Sequence, residues 1–112
     1  MNRFKLHKAG VAVNDALFRI GDDKELYEEL LQTFKKETQI QQLEEALARK
    51  DVGAAFAAAH AMKGEAGNMG FTRLYEALNV LVDQLRTGDT GGTEEMFEEV
   101  KAAHEVLIEA IG

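Results

Sequence analysis

The stretch of sequence that decides the fold spans residues 52–70 and reads VGAAFAAAHAMKGEAGNMG. Its apolar side chains recur at intervals of three and four residues, which is the period of an amphipathic helix. They are Val52, Ala55, Phe56, Ala59, Met62, Ala66 and Met69. Asp51 is placed to cap the first turn and Gly70 to end the last, because aspartate accepts from free backbone N–H groups and glycine adopts a positive φ without strain. The stretch therefore predicts a helix with one face in a core.

Outward from this helix, the same period continues on both sides. The chain holds no proline, and the residues between its glycines favour helix, so no segment is predicted as a strand. Further helices are predicted over 14–20, 22–49, 72–87 and 93–111. Asn14 and Asp22 are the expected caps of the first two, and the polar run 35–42 allows a bend in the second. Helices joined by short loops predict an all-α fold, an up-down antiparallel four-helix bundle with a short additional N-terminal helix.

The size and charge of the chain limit what it can do. Its 112 residues predict a single domain over residues 1–112, with residues 1–12 as a loose lead-in segment. Thirteen basic against twenty acidic residues leave a net charge of −7, which would repel the phosphate backbone of nucleic acid. The longest apolar run has six residues, whereas a membrane helix needs roughly 20. With no cysteine, disulfides are excluded. We therefore expect a cytoplasmic monomer that binds neither nucleic acid nor membrane.

Histidines are the candidate nucleophiles, because imidazole titrates near neutral pH. Of the three, His7 and His104 have no acidic or second histidine partner one turn along, and both are interpreted as solvated or half-packed side chains. The same spacing test finds no pair of metal ligands, and no Walker-type loop could cradle a nucleotide. We expect no metal or cofactor bound by the chain itself, and no kinase activity of its own.

His60 flanks the core face of the central helix. With about 100° of rotation per residue, it falls roughly 120° from the centre of the apolar stripe. Lys63 lies one turn along on the same side, and Gly64 lies directly above the histidine. Gly64 and Gly67 each lower helix stability by about 1 kcal/mol relative to alanine, so the presence of two glycines inside this helix needs an explanation. Two explanations are open: close packing of the glycines against a neighbouring helix, and open access of a partner to the imidazole of His60.

The sequence around His60 resembles a known signature. Residues 59–70 match the pattern H-x-x-K-G-x-x-G-x-x-G of histidine-containing phosphotransfer (Hpt) domains of bacterial two-component phosphorelays. Residues 21–31 are similar to the start of that family's long second helix, and residues 74–81 to its next bundle helix. The resemblance covers roughly residues 10–108, and the full glycine spacing is far more specific than H-x-x-K-G alone.

The resemblance implies a role for each residue of this strip. His60 would be the phosphoryl acceptor, Lys63 the cation that steadies the phosphoryl oxygens, and Gly64 a cleared approach for a receiver domain. The other residues expected to bind the partner are Gly53, Phe56, Ala57, Gly67 and Asn68. The implied partners are a hybrid sensor histidine kinase, whose receiver aspartate supplies the phosphoryl group, and a response-regulator receiver domain, which takes it. Any Mg²⁺ would come from the receiver.

Two positions depart from the pattern of the relatives. Glu65 is acidic where many relatives have a small residue or serine, although it falls about 140° from His60 around the helix. Val82 stands where relatives often place a polar residue that hydrogen-bonds the phosphorylated ring. Asn79 and Arg86, one turn to either side, are the candidates to replace it.

Two other functions fit the same residues. A helical module that docks receiver domains without accepting phosphate would use the strip beside His60 only as a surface, but it would not need Lys63. A purely structural bundle with an incidental histidine leaves Gly64 and Gly67 unexplained.

Overall fold

The computed structural model describes residues 1–112, which form seven helices and no sheet. The helices are α1 (Arg3–Lys8), α2 (Val13–Arg19), α3 (Lys24–Lys36), α4 (Gln39–Ala48), α5 (Val52–Met69), α6 (Thr72–Arg86) and α7 (Thr93–Ile111). The predicted all-α class is confirmed. None of these helices is long and apolar enough to cross a membrane.

Helix α5 is central and has the ends that the sequence predicts. The carboxylate of Asp51 accepts from the backbone N–H of Ala54 at 3.1 Å, and Gly70 ends the helix at φ 76°. A side chain at Gly70 would place its Cβ 2.5 Å from the carbonyl oxygen of Ala12, so this position needs glycine for space as well as for its φ. The close contact between Gly70 and Ala12 fixes the position of the start of α2 against the end of α5.

The bundle has four arms around one core: α5, α6, α7, and the pair α3 and α4. Helix α5 packs against α4 and α6, α6 packs against α7, and α7 contacts both α3 and α4 to close the ring. Helices α3 and α4 together form one arm of the predicted bundle. The fully buried aliphatic side chains at its centre are Leu43, Leu74, Leu78, Leu81, Val82 and Val100. Burying each such side chain contributes about 1.5–3 kcal/mol, so the core dominates the stability of the fold.

The single long helix predicted over 22–49 is wrong. Helix α3 ends at Lys36, the backbone of Glu37 is extended (φ −72°, ψ 149°), and α4 begins at Gln39. The polar run there has few apolar side chains to hold one helical phase, and the break lets Phe34 and Ile40 both reach the core. The ring of Phe34 lies against that of Phe71, with centroids 4.8 Å apart.

The lead-in segment is not loose. Residues 3–8 form α1, whose first turn is capped by the side chain of Asn2, and Leu6 and Val11 are almost completely buried. Val11 also pairs with Phe71 through an isolated β-bridge. A short helix with so few apolar residues has a weak periodic signal, which explains why the sequence pattern does not predict it.

The two expected caps near the N-terminus lie elsewhere. Helix α2 already includes Asn14, whose side-chain oxygen instead accepts from the guanidinium of Arg3 at 2.9 Å. The cap of α3 is Asp23 rather than Asp22: its carboxylate accepts from the N–H of Leu26 at 3.0 Å. Adjacent polar residues are equally able to cap, so the tertiary position of the helix start decides between them.

Candidate functional site

His60 lies on the exposed face of α5, with its ring against that of Phe56. The ring centroids are 5.7 Å apart and the planes are inclined by 23°, which is a stacked arrangement. The two residues are four apart in the helix, so their side chains lie on the same face one turn apart. Phe56 is half-buried and packs against the core, which anchors the ring beneath the imidazole.

Helix α6 runs antiparallel beside this face. Near the start of α5, the guanidinium carbon of Arg86 lies 5.6 Å from the centroid of the Phe56 ring. Near the end of α5, a Cβ at Gly67 would lie 3.4 Å from the ring of Tyr75. Arg86, at the end of α6, thus lies beside Phe56 near the start of α5. Tyr75, near the start of α6, lies beside Gly67 near the end of α5, as expected of antiparallel helices.

This register places His60 level with Val82, as the sequence analysis assigns. Val82 is completely buried, so α6 offers the imidazole no polar side chain at its own height. Asn79 is half-buried and makes no side-chain hydrogen bond, and Arg86 reaches Phe56. The side chain in contact with the His60 ring is therefore the aromatic ring of Phe56, not a polar residue of α6.

Lys63 is held over an aromatic ring of α6. Its ammonium lies 5.6 Å from the centroid of the Tyr75 ring, within range of a cation–π interaction. A Cβ at Gly67 would be in van der Waals contact with the same ring at 3.4 Å, so Gly67 lies beneath Tyr75, but this contact alone does not require glycine. Tyr75 is the residue of this site that the sequence analysis missed, because an aromatic near the start of a helix shows its role only when the register between α5 and α6 is known.

Gly64 has open space above it. A Cβ built there would meet no heavy atom within 4 Å outside its own helix, so packing does not require glycine at this position. Ala57 is exposed, and a Cβ at Gly53 would come only within 3.8 Å of the Asp51 carboxylate. Small residues therefore leave the surface on both sides of His60 low and accessible.

Helix α2 borders the far end of this strip. A guanidinium nitrogen of Arg19 donates to the backbone carbonyl of Asn68 at 3.1 Å, two helical turns beyond His60. Lys63 and Arg86 also border the histidine face, although the guanidinium of Arg86 is paired with the carboxylate of Asp83, in a chain whose net charge is −7. The face thus suits a partner that carries negative charge.

The other titratable groups of α5 and α7 lie on a different side of the bundle. Glu65 lines a small cavity of about 10 Å³ with Glu37 and His104, away from the histidine face. Burial raises the pKa of Glu65 to about 8, and a hydrogen bond with Glu37 adds to this effect. Burial lowers the pKa of His104, whose ring packs against Phe34. No group of three or more His, Cys, Asp or Glu side chains is arranged to hold a metal ion.

The family of the chain follows from a match that spans most of this architecture. The family model of the Hpt domain matches residues 25–110, from the start of α3 almost to the end of α7. The chain belongs to the Hpt domain family. Hpt domains are phosphocarriers that perform histidine phosphotransfer in phosphorelays and interact with receiver domains and kinases. The resemblance stated from residues 59–70 is thereby confirmed. No curated protein and no solved structure matches this Hpt domain.

Proposed function

We propose that this Hpt domain accepts a phosphoryl group on His60 from the receiver aspartate of a hybrid sensor histidine kinase and passes it to the receiver aspartate of a response regulator. The observation that carries the proposal is the exposed imidazole on α5, stacked on Phe56 and bordered by the open space above Gly64. An exposed imidazole is a competent nucleophile through its unprotonated ring nitrogen.

The bonds formed and broken in the transfer balance between His60 and the receiver aspartate, with no further reactant. A ring nitrogen of His60 attacks the phosphorus of the aspartyl phosphate, the N–P bond forms, and the P–O bond breaks with the aspartate carboxylate as leaving group. The other ring nitrogen keeps its proton. In the second step, the carboxylate of the response regulator attacks phosphorus, and the electron pair of the N–P bond returns to the ring.

Lys63 supplies charge to this step. From its place over Tyr75, the ammonium lies one turn from His60 and is available to the phosphoryl oxygens, where a charge-assisted hydrogen bond is roughly twice as strong as a neutral one. The Mg²⁺ of the reaction belongs to the receiver in this proposal. The exchange takes place between a monomeric Hpt domain and one receiver at a time, in the cytoplasm, where the kinase that starts a relay uses ATP.

The test is transfer of radioactive phosphate from a panel of phosphorylated receivers. Wild-type protein should take label as an acid-labile, base-stable adduct, as expected of a phosphoramidate, and His60→Gln should take none. Because His60 is exposed, His60→Gln should change the free energy of unfolding by no more than about 0.5 kcal/mol. His7→Gln is the matched control and should accept label normally.

Three outcomes would contradict the proposal. Label retained in His60→Gln, or found on His7 or His104, would show that the face described above is not the site. Labelling of the pure protein by ATP and Mg²⁺ alone would make it a kinase. Stable binding of receivers without any transfer would favour the docking module.

A further inference from the structure

We propose that Phe56, supported by Arg86, is the positioning residue for the His60 ring during phosphotransfer. This inference rests on the proposed function, since it assumes that His60 is the acceptor. It changes the role of Phe56 from a residue of the docking surface to a support of the nucleophile.

The need for a positioning residue follows from the surroundings of His60. The imidazole is exposed and makes no hydrogen bond, and the residue level with it on α6 is the buried Val82. A free ring on the surface rotates about its side-chain bonds, whereas transfer requires the attacking nitrogen to point at phosphorus along a narrow range of directions. Something other than a hydrogen bond must restrict the ring.

Phe56 has the geometry for this task. Its ring is nearly parallel to the imidazole, inclined by only 23° at a centroid separation of 5.7 Å. Contact with one face of the imidazole leaves both ring nitrogens, which lie at its edge, free to react. Because Phe56 is half-buried against the core, its own ring is restricted, and this restriction passes to His60.

Arg86 supports Phe56 from the neighbouring helix. Its guanidinium carbon lies 5.6 Å from the Phe56 centroid, a cation–π distance, and an ion pair with Asp83 at 3.3 Å ties the same guanidinium to the surface of α6. Both partners of that ion pair are exposed, so it adds little energy. The aromatic contact therefore links the end of α6 to the reactive ring on α5.

A docking residue and a positioning residue give different kinetics. Loss of docking contacts raises the receiver concentration needed for half-maximal transfer, whereas loss of positioning lowers the maximal rate at saturating receiver. For Phe56→Leu we expect the maximal rate to fall about two- to tenfold, the range expected from losing one aromatic pair, with the half-saturating concentration unchanged. Phe56→Tyr keeps the ring and should recover most of the rate that Phe56→Leu loses, and Arg86→Gln should show a smaller fall of the same kind.

The experiment combines single-turnover transfer with NMR of the His60 ring protons, assigned by their absence in His60→Gln. Stacking on Phe56 shifts these protons by its ring current, so the shift should disappear in Phe56→Leu and persist in Phe56→Tyr. Phe18→Leu is the matched control, because Phe18 is 80% exposed and makes no stacking contact with His60. Circular dichroism of each variant checks that the bundle remains folded.

The outcomes separate this inference from the proposed function. If wild-type protein takes no label, the proposed function fails. If wild-type protein is labelled but Phe56→Leu has an unchanged maximal rate, unchanged ring-proton shifts, or only a raised half-saturating concentration, the positioning role is refuted while the acceptor role of His60 stands.

Discussion

Replacing Gly64 should make the protein more stable and less active at once. A Cβ at Gly64 meets no heavy atom within 4 Å outside its helix, so alanine there adds no clash and leaves no cavity. The helix-propensity gain of about 1 kcal/mol should then appear in full in the free energy of unfolding. For a domain of about 100 residues this is a rise in melting temperature of about 4 °C or somewhat more.

The size of the new side chain should separate stability from transfer. Gly64→Ala adds one methyl group beside the His60 ring and should slow transfer only slightly. Gly64→Gln retains most of the gain in stability but places a long side chain in the approach to the imidazole, and we expect transfer to fall by at least about tenfold, which corresponds to about 1.4 kcal/mol in the barrier. Thermal melts followed by circular dichroism and single-turnover transfer measure the two effects on the same samples.

Gly70 is the control on the same helix. It has φ 76°, and a Cβ there would lie 2.5 Å from the carbonyl oxygen of Ala12, so Gly70→Ala should destabilise the protein by more than about 2 kcal/mol. If Gly64→Ala and Gly64→Gln also lower the melting temperature, Gly64 is a packing glycine and the access argument is wrong. Wild-type transfer by Gly64→Gln would refute the argument equally.

Three further predictions test the site, the half-buried pair of Glu37 and Glu65, and the N-terminal helix. Lys63→Ala should slow transfer about ten- to hundredfold without abolishing it, because one charge-assisted contact is worth about 1.5–3 kcal/mol, and an equal loss with Tyr75→Leu would show that the aromatic support of Lys63 matters as much as its charge. Glu65 has a folded-state pKa raised from 4.5 to about 8, so its protonated form stabilises the fold fully below pH 4.5 and this stabilisation is lost as pH rises through about 8. Glu65→Gln should therefore match wild type in denaturant melts at pH 4 and exceed it increasingly up to pH 8.5, while a constant difference in stability across that range would contradict the raised pKa of Glu65. His104, whose lowered pKa makes stability fall below pH 6.5, is present in both proteins, and a His104→Gln background removes its contribution from the comparison. Leu6→Ala should cost about 2–5 kcal/mol if α1 belongs to the core, whereas Phe4→Ala, at an exposed position of the same helix, should cost little.

The sequence by itself determined the helices whose apolar residues repeat strongly, and with them the strip around His60. Five of the seven residues in the predicted apolar stripe of α5 are buried and the other two, Val52 and Phe56, are half-buried. The turn of about 100° per residue predicts that His60 flanks that stripe. Both depend only on geometry inside one helix. The same local geometry also places Glu65 away from the histidine, where the structure has it.

Only the tertiary structure decided the features that depend on how two helices pack against each other. The break at Glu37, the helix in the lead-in segment and the choice of Asp23 as a cap follow from which side chains the core accepts, and a local pattern does not contain that information. The stacking partner of His60 lies on its own helix, but the support of that partner by Arg86 comes from the register between α5 and α6. That register is set by long-range packing of side chains far apart in the chain. For this reason the sequence predicts the nucleophile, and the fold decides what holds it in place.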